Sequence, residues 1–187
     1  ELVAGFKPMG KDEYLLELQS TFRPRGEKVT LGKTNFGFLA VRVAKSIAVH
    51  WGGGQLTNSE GQRGEKMIFG QSARWMDYSG SMPVGRGLGR KTVTEGITYH
   101  DHSANPGYPV HWHVREDGWM GSSFCKLEPY VINRENPLVL RYLLHAHSGE
   151  VSQSRADAIH DAFGESNGFK VSKSKRPHRQ FEVERAG

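Results

Sequence analysis

The sequence contains one cysteine, Cys125, so no intrachain disulfide framework holds the fold, and a lone thiol says little about compartment. It has no apolar run of the roughly 20 residues that a membrane-spanning helix needs, and its mean hydropathy is −0.58. No signal peptide is legible, and the chain opens Glu1-Leu2-Val3 without a methionine. That opening predicts a processed chain or a fragment, and it leaves periplasmic, secreted and cytoplasmic locations equally open. Long helical patterns are scarce, and internal repeats and low-complexity tracts are missing. No two carboxylates stand at a spacing that would support glycoside hydrolysis by the two-carboxylate scheme. The glycines of residues 52–54 and of 85–90 lack the Gly-Lys-Ser/Thr ending of a P-loop, so both stretches read as loops rather than phosphate cradles.

Twenty-three glycines and a hydrophobic content of only 36% are what remains, in 187 residues. Together they predict an all-β chain with many turns, an antiparallel β-sandwich in residues 1–167, followed by a basic tail over 168–187. The net charge of +5 permits an anionic partner without requiring one. Part of the excess is local, since residues 170–179 are rich in Lys and Arg and hold no acid. No nucleic-acid-binding module accompanies them, which puts nucleic acid last among the partners considered.

Alternating apolar positions predict strands at residues 14–22, 29–31, 73–78, 91–102, 110–115, 130–133 and 138–147, and residues 118–123 predict a turn. Within 73–78, Trp75 and Asp77 share a face; within 138–147, Leu138, Leu140, Tyr142 and Leu144 share one, with His145 and His147 opposite it. Residues 35–47, apolar on both faces, predict a central strand, with Arg42 paired to an acid or at the strand's wet end. Residues 50–65 predict a long Gly-rich loop over a site mouth, with Glu60 and Glu65 as its acids. Ser152 or Ser154 as a cap, Ala156, Ile159 and Phe163 at helical spacing, and Gly164 as a stop predict one short helix over 154–163.

The stretch 99–124, YHDHSANPGYPVHWHVREDGWMGSSF, holds four of the nine histidines and two of the four tryptophans. If 110–115 is a strand, Val110, Trp112 and Val114 share one face while His111, His113 and Arg115 share the other. His100 and His102 likewise share a face upstream of the Asn105-Pro106-Gly107 turn. Two histidine-bearing segments joined by a tight connection are therefore expected to converge on one cavity.

Five blocks occur in order: FGFLAVRVAKSI, TNSEGQRGE, ARWMDYSG, EGITYHDHSANPGYPVHWHVREDGWMGSSF and NPLVLRYLLHAHSG. On these blocks the chain resembles the bacterial PmoA-like family, a domain of unknown function whose members are often labelled methane oxygenase, over roughly residues 14–163. The resemblance implies an all-β sandwich of the broad galactose-mutarotase-like kind and suggests that the chain is the C-terminal part of a longer domain. The oxygenase label itself does not fit a chain without a membrane span.

Three functions compete. The first is a carbohydrate-related enzyme acting on a sugar or keto-sugar derivative. His113 or His102 would be its general acid/base and Arg115 its oxygen-orienting group, and Trp112 or Trp119 would stack on a ring. Asn105, Glu60, Glu65 and Asp77 would complete the substrate site. The second is a metal-dependent oxidoreductase using two or three of His100, His102, His111 and His113, together with an acid, as ligands. The third is a non-catalytic carbohydrate-binding module. A small carbohydrate ligand is the expected partner, with no membrane partner and no cofactor favoured.

Overall fold

The computed structural model describes residues 1–10 and 12–187. A six-stranded antiparallel sheet is the main layer, in the order β1–β2–β11–β7–β6–β5. Its strands are β1 (Leu2–Gly10), β2 (Glu13–Phe22), β5 (Gln55–Asn58), β6 (Trp75–Val84), β7 (Lys91–Asp101) and β11 (Leu138–Ser148). A three-stranded sheet of β4 (Ala40–Arg42), β9 (Trp119–Ser123) and β8 (His111–Arg115) faces it. Two small sheets flank the pair: β3 (Lys28–Leu31) with β10 (Tyr130–Asn133), and β12 (Phe169–Lys173) with β13 (Phe181–Arg185). Helices α1 (Val49–Gly52) and α2 (Glu65–Ile68) are single turns, and α3 (Gln153–Gly164) is the longest helix among the described residues. None of these helices is long and apolar enough to cross a membrane.

Alternation along each strand decides what lies between the two layers. Tyr78, Tyr99, Leu140 and Tyr142 point from the large sheet toward Trp112, Val114 and Met120 of the small one, and all are fully or almost fully buried. The Tyr99 ring meets Trp112 edge-on at 4.9 Å and Tyr142 at 5.4 Å. Trp112 also satisfies its indole by donating from Nε1 to the Ala73 carbonyl at 2.8 Å. The mostly β, antiparallel architecture and the helix after the last long strand agree with the sequence expectation. Ser152 caps that helix by accepting from the Arg155 amide.

Three local expectations do not hold. Within residues 35–47 only Ala40–Arg42 is strand, and Phe36 and Phe38 are exposed, because the segment runs along a sheet edge rather than through the middle. Arg42 does pair with Asp117, at 2.8 Å on the surface. The Gly-rich stretch 50–65 contains β5 as well as loop. Residues 118–123, which read as a turn, form β9 apart from Gly118, where φ is +99°. The basic segment after residue 167 is a hairpin tied back to β2 by Arg185, which donates to Glu17.

Asp101 is fully buried in the middle layer. Its Oδ1 accepts from Asn105 Nδ2 at 2.8 Å and from Ser122 Oγ at 3.2 Å, and its Oδ2 has no partner. Burial outweighs these bonds and pushes the carboxyl up from 3.8 to about 7. In that window the unfolded chain has already released the proton that the folded chain keeps, so stability falls as pH rises. Asp101→Asn removes this term. Urea unfolding of variant and parent should therefore shift in the variant's favour from about pH 4 to about pH 8. A difference that stays constant with pH would mean that the carboxyl is not desolvated.

Candidate functional site

Because Tyr99 and Trp112 face each other, their neighbours His100 and His113 must point away from each other, onto opposite outer faces of the two layers. The two histidine pairs therefore do not converge, and His100, His102, His111 and His113 form no common ligand set. Among the described residues no group of three or more His, Cys, Asp or Glu side chains is placed to hold a metal ion.

On the outer face of the small sheet, four of the expected residues do come together. His113 packs against Phe36 at 4.7 Å, Phe69 at 5.2 Å and Trp119 at 6.4 Å. Burial holds its ring below the usual histidine value. Arg115 Nη1 donates to Glu65 Oε1 at 2.6 Å, and Glu65 Oε2 accepts from the Glu116 amide at 2.7 Å. Arg42 lies 5.2 Å from the Trp119 ring, and Arg115 and Lys126 each lie 5.4 Å from Phe69. The result is an aromatic shelf with cations along it, and Phe36 stands 59% exposed at its edge. His111, half-buried at the start of β8, bridges to Ser72.

The remaining expected residues have other tasks. Trp112 is core, with no exposed surface to offer a sugar ring. Asn105 uses its amide to bind Asp101 and both the carbonyl and the amide of Arg141, which pins the turn to β11. His102 Nε2 accepts from Arg141 Nη1 at 2.6 Å, and desolvation, reinforced by that guanidinium, holds the ring down at about 4. It is thus a partner of a buried arginine rather than a free acid/base. Glu60 accepts from Ser59 in the turn after β5, apart from Glu65. Asp77 lies on the other face of the protein from the shelf.

That other face, the outer side of the six-stranded sheet, carries an unusual load of buried polar groups. From β2 come Glu13, Glu17 and Gln19, from β6 Asp77 and Ser79, from β7 Thr98 and His100, and from β11 Arg141, His145 and His147. Helix α3 covers part of it, with Ala156, His160 and Phe163 turned inward. Asp77, with no exposed surface, is its centre: it accepts from His147 Nε2 at 2.9 Å, Thr98 Oγ1 at 2.8 Å and Ser79 Oγ at 3.0 Å. Burial disfavours a charged His147 ring, yet the Asp77 hydrogen bond and charge outweigh burial and hold it above the usual value. Next to it, desolvation wins at His145, which sits lower despite its contact with Glu13 at 3.3 Å. Glu13 is itself drawn down to about 2 by Arg155, which binds both of its oxygens.

His147 and Thr98 line a small cavity of about 30 Å³, and Ser79 lines a polar cleft of about 190 Å³ with Gln55, Arg63, Ser81 and Thr94. Glu150 and Val151 belong to both walls, so the two spaces adjoin. Gly96 makes room for the dyad: a Cβ there would stand 2.6 Å from His147 Nε2 and 2.9 Å from the Ser79 Cβ. With Nε2 donating to Asp77, Nδ1 is the ring's basic atom, the arrangement of a general acid/base held by a carboxyl. Strand alternation already set His145 and His147 opposite the Leu138–Leu144 face and Asp77 beside Trp75. What it lacked was the strand order that joins β6, β7 and β11.

Residues 3–161 match a family described as a family of unknown function, DUF6807. No curated protein and no solved structure matches the chain. The match overturns the PmoA-like assignment and leaves the methane-oxygenase label without support. The blocks that suggested it are strand and turn segments whose Trp, Val and Asn side chains serve the core. The match spans most of the sequence, and the chain belongs to the DUF6807 family.

Proposed function

We propose that the cleft beside Asp77 binds a hydroxyl-rich small molecule, a sugar or an oxidised sugar derivative, and that His147 moves a proton on it. The observation carrying this reading is the buried Asp77 carboxyl, whose three partners His147, Thr98 and Ser79 all line the adjoining spaces. A polar wall of Ser, Thr, Gln and Arg groups offers donors and acceptors at the density that a polyol needs. His147, kept basic by Asp77, takes a proton from a ligand hydroxyl or an acidic carbon and returns it to the product. A second reading, non-catalytic sugar binding on the aromatic shelf, draws support from the exposed Phe36 ring packed on His113, which also meets Trp119.

Calorimetric titration with mono- and disaccharides and their oxidised derivatives separates the two. Gly96→Ala and His147→Asn should weaken binding by about tenfold or more, the scale of one charge-assisted hydrogen bond, and Phe36→Ala and Arg115→Ala should leave it unchanged. The opposite pattern moves the site to the shelf. Full binding by Gly96→Ala and His147→Asn, with folding confirmed by circular dichroism, removes the dyad from the reading.

A further inference from the structure

A larger cavity, about 510 Å³, opens on the same face of the large sheet, between β1, β2, α3 and the β12–β13 hairpin. That volume falls in the range of small-molecule sites, about 300–1,000 Å³. Its walls are apolar and come from separate elements: Leu15 of β2, Leu143 of β11, Ile159 and Ala162 of α3, and Phe169 of the hairpin. Gly5 permits this enclosure, because the Phe169 ring lies where a Cβ would stand, 2.8 Å away. Met9, 40% exposed, leaves apolar surface at the rim.

The charges around this cavity are unequal. Glu17 is saturated, with Oε1 accepting from Arg141 at 2.7 Å and from Arg185 at 2.9 Å, and Oε2 accepting from Arg185. Glu13 is saturated by Arg155 in the same way. Among the residues that line the cavity, three cations, Lys7, Arg155 and Arg185, thus stand against one carboxylate, Glu17. Lys7 forms no ion pair among the described residues, and it shares a face with Leu15, its register partner across the β1–β2 ladder.

We infer that this cavity binds a single-chain amphiphile with an anionic head, of the medium-chain carboxylate class. The chain lies on Leu15, Leu143, Ile159 and Ala162, and the head is taken at the rim by Lys7 with the outer edges of Arg155 and Arg185. An apolar tail is demanded by the walls, and a negative head by the surplus of cations that the protein's own carboxylates do not neutralise.

Titration calorimetry of the full chain with decanoate, decanol and decylamine, each below its aggregation limit, tests the assignment. Decanoate should bind one to one, about tenfold tighter than either of the other two. Ala162→Phe, which fills the cavity, should abolish the binding. Lys7→Glu, on an exposed side chain that the fold does not need, should weaken it by about tenfold. His147→Asn should leave it unchanged, which keeps this site separate from the polar cleft. No saturable decanoate binding, equal affinity for decanol, or undiminished binding by Lys7→Glu would each overturn the inference.

Discussion

Arg141→Ala should cost about 3–5 kcal/mol of unfolding free energy, the price of leaving a buried charge without its partner. The guanidinium, its side chain 8% exposed, donates to Glu17, to His102 Nε2, to Ser166 through both carbonyl and hydroxyl, and to the Asn167 carbonyl. Truncation leaves the Glu17 carboxylate with Arg185 alone and strips the Ser166 carbonyl and hydroxyl of the guanidinium, while the Asn167 carbonyl keeps its bond from Arg185. The effect carries a pH signature. Burial would raise the Glu17 carboxyl, but Arg185 and Arg141 outweigh it and hold it below its ordinary 4.5. The stability it contributes is present above that value and lost as pH falls, so parent and variant should draw together in acid. Urea unfolding at neutral and acid pH measures both. Arg115→Ala is the control: its pair with Glu65 is half exposed, and such pairs contribute about 0–1 kcal/mol. Equal losses from the two variants would refute the account of Arg141.

Trp112→Ala should cost about 3–5 kcal/mol for a different reason, a cavity rather than an orphaned charge. The indole has no exposed surface, meets Tyr99 at 4.9 Å and donates to the Ala73 carbonyl. With Val114 and Met120, it is one of the side chains through which the small sheet sits on the large one. In a chain of this size the loss lowers the melting temperature by on the order of 10 °C. A thermal melt shifted by only a degree or two would mean that the sheets are not joined at Trp112.

How much of this was legible in the sequence follows from what alternation can and cannot say. It correctly sorted Trp112 from His113, and Leu138, Leu140, Tyr142 and Leu144 of β11 from His145 and His147, because a half-buried strand writes its faces at every second residue. The α3 helix was equally legible through its Ser cap, its spacing and its closing glycine. Alternation is silent on which sheet a strand joins, so His100 and His113 were expected in one cavity although a Tyr99–Trp112 layer separates them. Segments 35–47 and 118–123 were misread because apolar and glycine content report composition, whereas an edge position and a paired β9 depend on distant strands. The Asp77–His147 dyad needed knowledge of the β6–β7–β11 order. Gly96 carried no local mark at all, since its meaning lies in the space it leaves above Ser79 and beside His147.

The dyad joins residues 70 positions apart, through a strand that lies between them in the sheet. No folded fragment of the chain can contain half of it and still present the cleft. Occupancy of the cleft is therefore linked to cooperative unfolding of the whole large sheet. A ligand at a hundred times its dissociation constant would add about 2.7 kcal/mol to the folded state. Differential scanning fluorimetry over a metabolite library thus becomes a direct way to find what this cleft takes, without an activity assay in hand.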